Sequence, residues 1–294
     1  MIAAPRQAPT VVVTNTGRSR ARFVRNGARC PKEIPRGLSQ AGQVDQSVGQ
    51  RAVEYVMGLP VSVDVRRCGH DVTPALARAF AWLREVDARF SPFRSDSEVR
   101  RWDRGELARC GADLTEVLAL CADYERRSGG AFRARLPGRG LDPSGVVKGW
   151  AVQRMADLLV ADGLAHFCVN AGGDVVTRGE PEPGRAWRIG VRHPVVTDQL
   201  CVTLGLRDGA VATSACYERG QHILDGRTGR PAVGLLSLTV VADDLTTADA
   251  TATAGFALGT DGVAWAASQP GCLVFAVDTE RRVHRSDGLA ALII

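Results

Sequence analysis

The run GWAVQRMADLLVADGLAHFCVNAGGD, from Gly149 to Asp174, holds the change of pattern on which the fold reading turns. In its first half Val152, Met155, Leu158 and Leu159 recur at spacings of three and four and share one face, which predicts a helix from about Gly149 to Asp162. Gly163 stops it. The second half predicts a strand over 166–170, closed by Gly172-Gly173. Upstream the pattern stays helical. Leu114, Val117, Leu118, Cys121 and Tyr124 give a helix over 113–128, ended by Gly129-Gly130. Leu76, Phe80, Leu83, Val86 and Phe90 give another, with Thr73 as N-cap and Pro74 as its first residue. Val61-Ser62-Val63-Asp64-Val65 alternates as a strand, and Met57-Gly58 opens the first convincing folded stretch. Downstream, short β-branched runs occupy 186–192, 199–206, 210–213, 236–242 and 272–278, with Ala-rich helices at about 248–258 and 261–268 before the last one. The expectation is a mixed α/β fold of two subdomains, helix-rich over about 52–163 and strand-rich over about 164–294.

Composition bounds the function. The chain has 294 residues, 45% hydrophobic, 23% charged and 5% aromatic, which is globular and neither disordered nor fibrous. No apolar run approaches the roughly 20 residues of a membrane-spanning helix. The net charge of +5 is unevenly placed. Residues 1–51 carry nine basic and two acidic groups, whereas 52–294 carry 28 and 30. The tail therefore reads as a basic, disordered extension, and the nearly neutral body argues against a nucleic-acid reader. No apolar h-region marks a secretory signal, so the expected location is cytoplasmic, or exported if the true start differs. The eight cysteines show no CxxC spacing and read as structural thiols.

Four segments look unlike ordinary core or surface. In Asp142-Pro143-Ser144-Gly145-Val146-Val147-Lys148-Gly149 a polar loop enters a helix carrying the sole lysine of the body; 35 of the 37 basic residues are arginine. A helix start with a compact ammonium beside it suits a phosphate, and an ordinary capped helix is the plain alternative. Asn170-Ala171-Gly172-Gly173-Asp174 reads first as a turn. Ala212-Thr213-Ser214 and His222 to Asp225 bring hydroxyls, an imidazole and a carboxylate into one stretch, a candidate acid–base pair. No GxSxG elbow supports a serine hydrolase there. Asp249 and Thr253 lie four apart on one helix face and suit a hard ion such as Mg²⁺, although on this segment alone a capped, small-residue helix packed closely on a sheet is the plainer reading.

In this order the four segments resemble the FAD:protein FMN transferase (ApbE) family, from Met57-Gly58 to about Gly259. Phe90-Ser91-Pro92-Phe93, Gly130-Ala131-Phe132, Thr228-Gly229 and Ala248-Asp249 with Ala252-Thr253 belong to the likeness. The resemblance implies an ApbE-like fold around a central FAD and Mg²⁺ site. It implies an enzyme that splits FAD, attaches FMN through a phosphoester to a Thr or Ser of an acceptor protein, and releases AMP. It implies Asp249, Thr253 and the Gly145 carbonyl as metal ligands and His222 as the histidine implicated in transfer; on chemical grounds His222 or Asp225 could serve as the catalytic base for the acceptor hydroxyl. Met57, Phe93, Ala131, Phe132, Arg133, Asp142, Lys148, Thr213, Ser214 and Leu224 would meet the flavin nucleotide.

The chain departs from the family pattern at four positions. Arg133 stands where the family has Asp, ahead of a short 133–141 segment; Phe93 replaces Tyr, Gln221 replaces Ser and Gly226 replaces Pro. Two other readings use the same residues. One is a Mg²⁺-dependent FAD pyrophosphatase giving FMN and AMP. The other is a non-catalytic flavin-binding protein, against which the complete metal set speaks.

Overall fold

A two-residue turn with positive φ at Met57 (56°) and Gly58 (73°) folds strand β2 (Gln50–Val56) onto β3 (Leu59–Val65). That is the turn whose twist matches paired strands. The computed structural model describes residues 10–13, 49–136, 138–196, 198–215 and 223–294. Of the expected disordered tail, Thr10–Val13 form a strand, β1, and Gln50-Arg51 already belong to β2; the rest of that expectation lies outside the described residues. β2 precedes the expected folded start, because its alternation carries charged and polar side chains on an edge.

The chain continues through α1 (Thr73–Phe90), α2 (Glu98–Asp103), α3 (Ala112–Arg127) and α4 (Ser144–Ala161). The inward faces named for α1 and α3 are buried, apart from a partly buried Leu118. Val72, not Thr73, caps α1. α4 starts five residues earlier than expected, since Asp142 Oδ1 accepts the Ser144 N–H at 3.0 Å and Pro143 costs a helix start nothing. Gly145 and Lys148 therefore sit inside the helix, and Leu158 turns outward at 39% exposure.

Strands follow as β4 (Phe167–Ala171), β5 (Asp174–Arg178), β6 (Trp187–Arg192), β7 (Leu200–Leu206), β8 (Gly209–Ala215), the short pair β9 (Leu224–Asp225) and β10 (Arg230–Pro231), and β11 (Leu235–Ala242). Helices α5 (Leu245–Ala257) and α6 (Asp261–Ala267) precede β12 (Leu273–Asp278) and β13 (Val283–Arg285). β5 has no counterpart among the expected strands. Its buried run lacks the polar alternation of a half-exposed strand.

One antiparallel sheet of eight strands, β13-β12-β11-β8-β5-β4-β3-β2, takes members from both sides of residue 163. The helix-to-strand change is thus a change along the chain, within one shared sheet. Alternation sorts its side chains. Val176, Ala212, Val240 and Ala276 face a core with α1, α3, α4 and α5. Val175, Val211, Val241 and Phe275 face a smaller core under β1-β6-β7, where β1 runs parallel to β6. Among the described residues no helix is long and apolar enough to cross a membrane.

Candidate active site

The site begins where α4 and α5 touch. At Gly149 a Cβ would stand 2.6 Å from the Leu245 carbonyl oxygen and 2.7 Å from Asp249 Cβ. Without it the Gly149 N–H, which a helix assigns to the Gly145 carbonyl, donates to Asp249 Oδ2 at 2.9 Å. Asp244 fixes the start of α5 by accepting from the Thr247 N–H at 2.9 Å, and Gln153 Oε1 accepts the Leu245 N–H at 2.9 Å. Alanines at 248, 250, 252 and 254 let α5 lie close against its neighbours.

Into this junction Lys148 sends its ammonium. It pairs with Asp249 Oδ1 at 3.0 Å and with Asp174 Oδ2. Both carboxylates are 2% exposed as residues, whereas the lysine side chain keeps 24% of its surface open. Burial alone would lower the lysine pKa, but the two carboxylates outweigh it and hold Lys148 charged. Burial pushes the Asp249 carboxyl well above the ordinary carboxylate range; Asp174 adds repulsion, while Lys148 and the Gly149 N–H oppose the rise. With both carboxyls ionised, two negative charges face one ammonium, and a further cation would favour that state over protonation of Asp249.

Hydroxyls complete the floor. Ser214 Oγ on β8 lies 3.5 Å from Thr253 Oγ1 on α5. Thr213 is held differently: its N–H donates to Asp174 Oδ1 at 3.1 Å and its hydroxyl meets Thr239 across the strands at 2.9 Å. Above lies a cavity of about 850 Å³. Met57, Phe93, Phe132, Arg133, Asp142, Gly145, Lys148, Thr213, Ser214, Leu224, Asp249 and Thr253 all line it, so the structure brings together most of the residues singled out in the sequence. Phe132 is buried and sits against Gly145, where a Cβ would come within 2.8 Å of its ring. Phe93 is 92% exposed at the rim.

Three expected residues stand apart. Ala131 is fully buried, and its carbonyl accepts the Gly226 N–H at 2.8 Å. Asp225 is not among the cavity-lining residues. It takes three hydrogen bonds from Arg227, whose guanidinium holds its carboxyl below the ordinary range. A carboxylate so held is a poor base. His222, with Gln221 beside it, lies outside the described residues.

The two other departures explain each other. A Cβ on Gly226 would stand 2.6 Å from the Gly130 carbonyl oxygen and 2.8 Å from Arg133 Cγ. The β9–β10 turn therefore docks on the 130–133 turn only because residue 226 is glycine. The short segment beyond is also tightly made. Arg135 bridges to Leu141, the Leu141 N–H donates to Asp103 Oδ2 at 3.1 Å, and Arg135 pairs with the same carboxylate.

Local pattern misses Asp174 as a site residue, although it closes the Gly172-Gly173-Asp174 run. The available signal was an acid entering a strand directly after a glycine pair, a place with no need of charge. Local pattern also misses Arg100 and Arg139 on the lining.

The family model described as "ApbE family" matches residues 57–136 and 133–275. The chain belongs to the ApbE family. It is 34% identical over 142 residues to the FAD:protein FMN transferase of Vibrio cholerae, covering 45% of this chain and 42% of that protein. It is 32% identical over 245 residues to the Treponema pallidum protein of the same name, covering 73% and 67%. The chain thus spans less than half the length of the first of these relatives. The solved flavin transferase ApbE of Vibrio cholerae superposes with a TM-score of 0.72 at 22% identity, over 83% of this chain and 100% of the other. The ApbE protein of Thermotoga maritima does so at 0.73 and 24%, over 83% and 99%. These superpositions fix the mixed α/β architecture as the ApbE fold.

Proposed function

We propose that this chain is a Mg²⁺-dependent FAD:protein FMN transferase. The observation that carries the reading is the buried cluster of Lys148, Asp249 and Asp174, whose Lys148 and Asp249 lie on a cavity lined by aromatic and apolar side chains together with arginines. Such a cavity suits a ligand with an oxygen-rich centre and flat rings, as a dinucleotide has. The names of the relatives support the same reading.

The donor set fits Mg²⁺. Among the described residues no three His, Cys, Asp or Glu side chains gather to hold a metal alone. Asp249, the Thr253 hydroxyl and the Gly145 carbonyl would hold it, all hard oxygens, and Mg²⁺ commonly leaves its remaining positions to water and substrate phosphate. When bound it supplies positive charge to the pyrophosphate oxygens.

The protein's own groups do the rest. Lys148 stays protonated beside its two carboxylates and offers charge to a phosphate through its open side. Phe93, Phe132, Met57 and Leu224 give the rings apolar surface. In the reaction the acceptor hydroxyl oxygen bonds to the FMN phosphorus while the bond from that phosphorus to the bridging oxygen breaks, releasing AMP. The proton of the hydroxyl passes to a base. We assign that role to His222 on its family position, because Asp225 is pinned by Arg227. The compartment we propose is the cytoplasm, in keeping with the free thiols of all six described cysteines.

The test is direct. The full chain is incubated with FAD, Mg²⁺ and Thr-containing peptides. Peptide mass rising by one FMN, with AMP released, is the expected result. FMN and AMP appearing without any adduct would replace the transferase with a pyrophosphatase.

A further inference from the structure

Sheets leave two edges, and this one treats them unequally. The β13 edge is blunted by its length of three residues. The β2 edge runs seven residues, contains no proline, and pairs with β3 in unbroken register from Gln50↔Val65 to Val56↔Leu59. Its charged side chains are ion-paired within the protein, Arg51 with Asp64 at 2.8 Å and Glu54 with Arg84 at 2.5 Å. Val53 and Tyr55 stand 60% and 68% exposed. A seven-residue edge with unpaired backbone groups is open to strand addition unless something covers it.

The register says which backbone groups are free. A two-residue turn makes Val56 and Leu59 a hydrogen-bonded pair, so bonding to β3 falls on Val56, Glu54, Ala52 and Gln50. The N–H and C=O groups of Arg51, Val53 and Tyr55 point away from the sheet. Among the described residues none of them has a backbone partner. The same strand then runs into Met57 and Gly58, which line the cavity.

We propose that the acceptor polypeptide docks as an added strand on the β2 edge and is led past the Met57-Gly58 turn into the cavity. This rests on the transferase reading, which requires a protein hydroxyl to reach the cavity. Main-chain hydrogen bonds would supply affinity, and Val53 and Tyr55 would meet alternate side chains of the incoming strand.

Two measurements test this on the full chain with FAD and Mg²⁺ present. The first is amide exchange of the isotope-labelled protein as Thr-containing peptides of random flanking sequence are added, with FMN adducts followed in the same samples. Exchange at Arg51, Val53 and Tyr55 should slow by about tenfold or more while Ala52 and Glu54 stay unchanged. That pattern without adducts keeps the docking edge and counts against the transferase. Adducts with no change at the three amides overturn the docking edge, and neither signal overturns both. Slow exchange there before peptide is added also overturns it, since the chain would then cover its own edge. The second is Val53→Pro, which removes one outward donor and leaves the β3 ladder whole. Acceptor KM should rise by about tenfold with FAD affinity unchanged. An unchanged KM in a protein that binds FAD normally contradicts the proposal.

Discussion

The floor and the mouth of the cavity are built by opposite means. The floor is two buried helices meeting at Gly149, with Lys148, Asp174 and Asp249 fixed by one another and by backbone N–H groups. The mouth is turns carrying exposed arginines and Phe93, joined by a glycine contact at residue 226. The difference teaches where tolerance lies. Groups that must stabilise charge on a reacting phosphate need fixed positions, and a packed helix junction supplies them. Groups that recognise rings and a partner need surface, and turns supply it.

Substitutions break that comparison if stability and function do not separate between the two regions. The largest effect is expected at Lys148→Ala. It leaves two buried carboxylates facing each other without a cation, a loss of roughly 3–5 kcal/mol by analogy with broken buried ion pairs. Chemical denaturation measures the loss, and added Mg²⁺ should restore part of it. Gly149→Ala comes next, since its Cβ meets a backbone carbonyl that cannot step aside. About 1–3 kcal/mol of stability should go, with FMN transfer falling in parallel. At the mouth, Gly226→Ala forces the β9–β10 turn off the 130–133 turn. FAD affinity should weaken several-fold in calorimetry, while the melting temperature moves less than for Gly149→Ala. Phe93→Ala is the mildest for the fold, within about 0.5 kcal/mol as for exposed positions generally. Its FAD affinity should still drop by about 0.5–1.5 kcal/mol if the ring stacks on the ligand.

The floor was more legible in the sequence than the mouth, for a physical reason. Helix periodicity places Asp249 and Thr253 on one face, and a single body lysine stands out among arginines, so local pattern finds both. Asp174 escaped because its partner is Lys148 on another element, and a glycine pair before a strand is ordinarily a turn. The strand pattern located β3, β4, β6, β7, β8, β11 and β12 to within a few residues. It missed β2, whose outward residues mix Arg51 with Val53 and Tyr55, and β5, which is buried on both faces. At the mouth, the tie between Gly226 and Arg133 joins turns nearly a hundred residues apart. No local rule predicts such a contact, although both departures from the family pattern were visible.

The floor's need for a cation is what makes the α4–α5 junction a reaction centre. Calorimetric titration of Mg²⁺ into the FAD-saturated full chain, compared with Asp249→Asn, tests it most directly. The wild type should show one Mg²⁺ site per chain that depends on FAD, and the variant should lose it while remaining folded and still binding FAD through the walls of the cavity. Equal Mg²⁺ binding by both proteins would contradict the assignment of Asp249 and, with it, the reading of the α4–α5 junction as the place where the pyrophosphate is split.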